Sequence, residues 1–80
     1  MTPLRITILA DNCVATRTTR AEHGLCLHIA MGEHRLLFDT GQGLVLADNA
    51  RTLAIDLGAI DTIVLSHGHY DHTGGLPLVL

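Results

Sequence analysis

Residues 66–75 read Ser-His-Gly-His-Tyr-Asp-His-Thr-Gly-Gly, and within them His67, His69, Asp71 and His72 form an H-x-H-x-D-H pattern. Three imidazoles and a carboxylate packed this closely are a dense ligand set, and neutral imidazole with carboxylate suits zinc and other first-row divalent ions. If the chain is extended here, His67 and His69 lie two apart and project to one side, where both can reach a single ion. Asp71 and His72 are adjacent and must diverge. Four ligands so placed fit two neighbouring ions better than one tetrahedral ion, and pairs about 3.5–4 Å apart serve the hydrolysis of esters and phosphoesters. The expected chemistry is attack by a metal-bound water. Gly68 is expected to leave space beside the metals, and Gly74-Gly75 to let the chain turn sharply into a following helix.

The elements that must position this cluster are legible from periodicity. Leu4, Ile6 and Ile8 alternate with Arg5 and Thr7, the pattern of a half-buried strand over about 4–10. Asp11 to His23 shows no periodicity and is expected to be a loop bordering a site. Leu25, Leu27, Ile29 and Met31 share one strand face, Gly32-Glu33 supplies a turn, and Arg35 to Asp39 returns as a short apolar strand. Leu46, Ala50, Leu53, Ala54 and Leu57 fall at helical spacing, predicting an amphipathic helix that ends between Ala54 and Gly58, with Asp48 and Asn49 on its exposed side. Thr62 to Leu65 is continuously apolar and β-branched, as expected of a strand buried on both faces, and the ligand cluster follows it. This β-β-β-α-β order predicts an α/β layered fold in one domain.

Composition narrows the function classes. The 80 residues are 48% apolar and 16% charged, a chain that wants a larger core than it can easily close alone. Its last residues, Leu76 to Leu80, carry no polar stop signal, so residues 1–80 are expected to be part of a larger domain, truncated at the C-terminus. The net charge is −3, and the five basic residues, all arginine, are not clustered, which argues against a nucleic-acid or membrane-surface partner. No segment approaches the roughly 18 apolar residues of a membrane span, and a cytoplasmic protein is expected. Cys13 and Cys26 lack C-x-x-C spacing and are expected to be free, buried or half-buried thiols. His28 and His34 are expected to be structural or exposed. His23, beside Glu22 at the loop exit, is a candidate proton carrier on the substrate side.

The chain resembles the metallo-β-lactamase-fold hydrolase superfamily, whose H-x-H-x-D-H signature is matched at all four positions and whose strand-end Asp-Thr-Gly motif is matched at Asp39-Thr40-Gly41. More narrowly, residues 21–25, 38–42 and 63–75 are similar to the branch that includes a dihydropterin-ribofuranosylaminobenzene phosphate synthase. The resemblance implies the N-terminal half of an αββα sandwich and a binuclear hydrolase acting on a small-molecule ester, thioester, lactam or phosphoester. It implies His67 and His69 on one ion and Asp71 and His72 on a second, with Asp71 as the catalytic member. Two divalent ions are implied, zinc first and iron or manganese next. Asp39 would lie behind the cluster, where a carboxylate orients a metal-bound imidazole; its other reading is a cap on the Thr40-Gly41 turn. Members of the superfamily draw further ligands from a second αβ half, so this chain is expected to carry half a site and to be inactive by itself. The alternatives are a non-catalytic remnant and a dihydropterin-related synthase. An uncovered apolar sheet face is expected to drive self-association.

Overall fold

A computed structural model describes residues 3–13 and 18–80; residues 14–17, within the predicted loop, and residues 1 and 2 lie outside it. Four strands form one sheet in sequence order: β1 (Leu4–Ala10), β2 (Cys26–Met31), β3 (His34–Phe38) and β4 (Thr62–Val64). The first three run antiparallel, and β4 lies parallel to β3. Between β3 and β4 come helix α1 (Leu46–Thr52) and a 3-10 turn (Leu57–Ala59). One helical turn, α2 (Tyr70–Thr73), and a 3-10 turn (Leu76–Leu78) close the chain. This is the mixed αβ layering expected of half a metallo-β-lactamase-type sandwich.

The core lies between the sheet and α1. Leu9, Cys26 and Leu37 from the strands meet Val45, Leu46 and Ala50 from the helix and its approach, with Ile55, Leu57, Ile60, Ile63 and Val79 around them. The opposite sheet face is almost wholly apolar. The register aligns Ile8, Leu27 and Phe38 in one row, Ile6, Ile29 and Leu36 in the next, and Leu4 with Met31 beyond. Nothing among the described residues covers its β1 edge, so Leu4, Ile6 and Ile8 are 59%, 54% and 56% exposed, while Leu9 on the other face is 1% exposed. The alternation was legible, but the side of β1 that meets the core carries Arg5, Thr7 and Leu9. Residues 62–65 also differ from expectation. Among the described residues strand β4 pairs only with β3 and none covers its outer face, leaving Val64 and Leu65 about two-fifths exposed.

Helix α1 is shorter than its apolar spacing predicts. It stops because Ala54 takes a left-handed conformation, φ 58°. The Ile55 N–H then donates to the Ala50 carbonyl at 2.8 Å and the Ala54 N–H to the Arg51 carbonyl at 3.2 Å, a Schellman closure with Ile55 turned onto the core. Glycine normally fills this position, since a Cβ strains it by about 1 kcal/mol or more. Ala54→Gly is expected to stabilise the chain by about 0.5 to 1 kcal/mol, read as a shift in urea midpoint at unchanged slope. Asn49 is also not on the exposed side. It is 2% exposed, its amide N–H groups donate to the carbonyls of Leu9 and Arg20 at 2.8 Å, and its oxygen accepts from the Arg20 N–H at 2.9 Å, tying the chain after β1 to the helix.

Both cysteines are free: Cys13 is exposed, and Cys26 is fully buried. Burial first, then the charges of Asp39 and Glu22, push the Cys26 thiol up to about 12, so it remains protonated packing material.

Candidate metal centre

The parallel β3–β4 pair ends level, Phe38 opposite Val64, and the Asp39 N–H extends the pairing by donating to the Val64 carbonyl at 2.8 Å. The chain leaves β3 through Asp39 at φ 56°, a left-handed conformation that aspartate tolerates better than most residues. That bend turns its carboxylate beneath the residues that follow β4. The cluster itself is therefore not on a strand. Residues 65–69 are irregular, with His69 extended at φ −68°, ψ 146°, and Tyr70, Asp71 and His72 lie on α2.

The helical turn is held from behind by the Asp39-Thr40-Gly41 segment. The Thr40 N–H and Oγ1 both donate to the His72 carbonyl, at 2.8 and 3.0 Å, and Thr40 Oγ1 accepts from the Gly75 N–H at 2.9 Å. The glycines at 74 and 75 are there for this approach. Both have ordinary right-handed dihedrals, so no unusual bend requires them, but a Cβ on Gly74 would run into the Gln42 carbonyl oxygen and one on Gly75 into that of Thr40. Gly68 faces open space, with nothing within 4 Å of where its Cβ would be. Glu22, which sequence reading left without a role, ties the same region to the helix: its carboxylate accepts from the Gln42 N–H at 2.8 Å and the Val45 N–H at 3.1 Å.

Asp39 is fully buried, and its carboxylate accepts three hydrogen bonds: from the Ser66 N–H at 2.7 Å, from Ser66 Oγ at 2.6 Å and from His72 Nδ1 at 2.6 Å. It does not cap the Thr40-Gly41 turn. Burial by itself would raise its pKa, but the bonds from the Ser66 hydroxyl, the Ser66 N–H and His72 together outweigh it and hold Asp39 below the usual aspartate range. An ionised carboxylate only accepts, which fixes the protons around it. His72 must carry its proton on Nδ1. Ser66 must point its hydroxyl hydrogen at Asp39, so the His67 Nδ1 that lies 2.8 Å from Ser66 Oγ must be the donor to that oxygen. In the neutral rings this leaves Nε2 as the lone pair, the tautomer a metal needs.

His67, His69 and Asp71 each offer a ligand atom within 4.8 Å of the others, a group that could hold a metal ion. The His67 ring also sits 4.1 Å from that of His72, whose Nε2 is 3.3 Å from Asp71 Oδ2. Asp71 thus groups with His67 and His69 and also meets His72, so all four side chains lie in one cluster. His23 is brought to the same carboxylate, Nε2 to Oδ2 at 3.2 Å, while its ring stays exposed. Asn12, His23, Asp71 and His72 line a shallow cleft of about 210 Å³. Tyr70 is two-thirds exposed. His28 and His34 lie away from the cleft; His34 is exposed, and His28 is buried under the loop after α1.

Comparison with known proteins agrees with this geometry. The family model of the metallo-beta-lactamase superfamily matches residues 20–80, and the chain belongs to that superfamily. An uncharacterized protein of Methanocaldococcus jannaschii is 45% identical over 76 residues, covering 94% of this chain and 29% of the relative. The 7,8-dihydropterin-6-methyl-4-(beta-D-ribofuranosyl)-aminobenzene-5'-phosphate synthase of the same organism is 41% identical over 61 residues, covering 70% of this chain and 21% of the synthase. An atrochrysone carboxyl ACP thioesterase of Aspergillus fumigatus is 43% identical over 54 residues, covering 65% and 13%. The chain thus spans less than a third of the length of these curated relatives. Among solved structures, a Thermotoga maritima protein, a candidate metallo-beta-lactamase, superposes with a TM-score of 0.68 at 21% identity, over 95% of this chain and 39% of that one, which shows the shared fold. No helix among the described residues is long and apolar enough to cross a membrane.

Proposed function

We propose that this chain carries the N-terminal ligand cluster of a binuclear metal-dependent hydrolase, with His67, His69, Asp71 and His72 as ligands and a small-molecule ester, thioester, lactam or phosphoester as substrate. The observation that carries the reading is the buried Asp39 carboxylate, which accepts from His72 Nδ1 and from the Ser66 hydroxyl that in turn meets His67 Nδ1, so that in the neutral rings Nε2 is the nitrogen free to take a metal. Divalent ions, zinc first and iron or manganese next, would supply Lewis-acid polarisation of the substrate oxygen and acidify a water. The chain's own part is to hold two imidazoles rigidly, keep Asp71 beside them, and offer His23 at the rim to take up or release a proton. Because these residues provide few ligands per ion, the remainder of each coordination sphere comes from outside them. The thioesterase relative supports a carboxylic thioester as substrate class. The synthase relative supports a second reading, in which the same cluster serves bond formation on a dihydropterin.

Elemental mass spectrometry of the chain refolded with zinc, beside a His67→Ala/Asp71→Ala variant, tests the site. Bound zinc that is lost in the variant is the expected result, and equal zinc in both would sink the assignment. Assays of the zinc-loaded protein with an acyl thioester and with a dihydropterin substrate then separate the two chemistries.

The uncovered apolar face of β1, β2 and β3 supports a second copy of the chain as partner, since contiguous apolar patches of this kind mark interfaces. Sedimentation equilibrium should show dimers or larger species that an Ile6→Lys/Ile8→Lys variant dissociates; a strictly monomeric wild type would refute this.

A further inference from the structure

The helix-side face of the sheet holds a second constellation, at the end away from the metal cluster. Arg5 on β1, Ala30 on β2 and Arg35 on β3 stand in one register row across three strands. Two residues nearer the cluster on β2, on the same face, lies His28. These side chains and the segment after α1 enclose a groove of about 260 Å³, roomy beside the roughly 30 Å³ that one water occupies in the liquid.

Three features of this groove have no use within the chain. The Arg5 guanidinium makes no hydrogen bond or ion pair with any described residue. Arg35 commits one guanidinium nitrogen, Nη1, to the carbonyls of Gly32 and His34 at 2.7 and 2.8 Å, leaving its other donors open. His28 is 5% exposed, yet its Nδ1 is buried with no hydrogen-bond partner. Buried polar nitrogens are nearly always satisfied, and the exception here belongs to a ring that lines the groove beside two guanidinium-bearing side chains. Asp56 is the single acid on the groove wall among the described residues, and its Oδ1 already accepts from the Gly58 N–H at 2.9 Å.

We infer that this groove binds a phosphate group, held by the guanidinium groups of Arg5 and Arg35 and by the imidazole of His28. Planar guanidinium donors match the oxygen edges of a phosphate and bind it by paired, charge-assisted hydrogen bonds. The protein supplies two positive charges against the one negative charge of Asp56, so the groove favours an anion. Burial, and then the charge of Arg35, hold His28 below the usual histidine pKa; the neutral ring still carries one N–H to donate. The inference does not depend on the metal cluster, which lies beyond the other end of β2.

The test is a titration of the full chain with inorganic phosphate, read from the His28 ring proton in NMR spectra, with phosphate raised to about 10 mM, ten times the Kd of a millimolar site. A saturable shift of His28 is expected, weakened about tenfold or more in Arg5→Glu and less in Arg5→Gln. The Arg5 guanidinium bonds to no described residue, so both variants should keep the wild-type amide spectrum. No saturable shift, or one of equal affinity in Arg5→Glu, would overturn the inference. A shift that survives Arg5→Glu but disappears in His67→Ala/His69→Ala would overturn it too, by placing the anion at the metal cluster. Acetate titrated in parallel should bind more weakly than phosphate; tighter acetate binding would exclude a phosphate site.

Discussion

Asp39→Asn is expected to destabilise the chain by about 3 kcal/mol and to weaken zinc binding by about 10- to 100-fold. Asparagine tolerates the left-handed backbone at this position, so the substitution removes charge and acceptor capacity without adding backbone strain. Its amide presents one oxygen and one N–H₂ group to three neighbours that are all donors: the Ser66 N–H, Ser66 Oγ and His72 Nδ1. With its nitrogen toward the Ser66 N–H, donor meets donor; turned the other way, the amide is satisfied only if the Ser66 hydroxyl rotates to accept and His72 moves its proton to Nε2, the nitrogen a metal needs. The imidazoles then lose the partner that selects their tautomer. The wild type should show the matching pH dependence. Because the folded-state pKa of Asp39 lies below its unfolded value, its contribution is fully present above an ordinary aspartate pKa of about 3.9 and disappears as the pH falls through the lower folded value. Urea unfolding from pH 7 down to pH 3 should show a loss of stability in the wild type that is smaller in Asp39→Asn. An equal slope in both proteins would show that another carboxylate governs the acid limb.

Gly75→Ala is expected to cost about 3 kcal/mol or more, while Gly68→Ala changes stability by less than about 0.5 kcal/mol. A Cβ on residue 75 would press into the Thr40 carbonyl oxygen and stand 3.0 Å from Thr40 Cβ and 3.1 Å from Leu46 Cδ2, atoms of the buried core that have nowhere to yield. It would lever the end of α2 away from Thr40, whose N–H and hydroxyl both hold the His72 carbonyl. Lost stability and lost zinc should therefore appear together. Gly68 sits among the same ligands with open space around it, which makes it the control for proximity to the metal. Thermal unfolding of the two variants separates a steric clamp from a general sensitivity of the loop.

The strand boundaries, the order of elements and the grouping of His67, His69 and Asp71 were legible because each rests on local signals: period-two alternation, turn residues and close spacing. What was not legible depended on partners distant in sequence. Alternation in β1 shows that two faces differ, but α1 covers the face of Leu9, and the more apolar row of Leu4, Ile6 and Ile8 points outward. Asn49 reads as a solvated helix residue until the carbonyls of Leu9 and Arg20 are seen beside it. The glycine pair at 74 and 75 reads as a bend, although what it permits is the approach of another backbone segment. Glu22 had a discoverable signal, an acidic residue close to the candidate His23, but nothing in the chain announces that its acceptors face the Gln42 and Val45 amides. Strand β4 reads as doubly buried because its residues are apolar, and apolar residues on an open edge give the same letters.

The parallel pairing of β3 with β4 has a kinetic meaning. Strands β1 to β3 form a meander whose β2–β3 turn is short, whereas residue 38 meets residue 64 only after the intervening helix has been laid down. Closing that longer loop costs more chain entropy, so the segment that carries His67, His69, Asp71 and His72 is set to dock late in folding and to open early in native-state fluctuations. An ion bound there would act as a latch on this late-docking segment, and the slowing of amide hydrogen exchange on metal uptake should be concentrated between Thr62 and Gly75, with the β1–β2–β3 meander little changed.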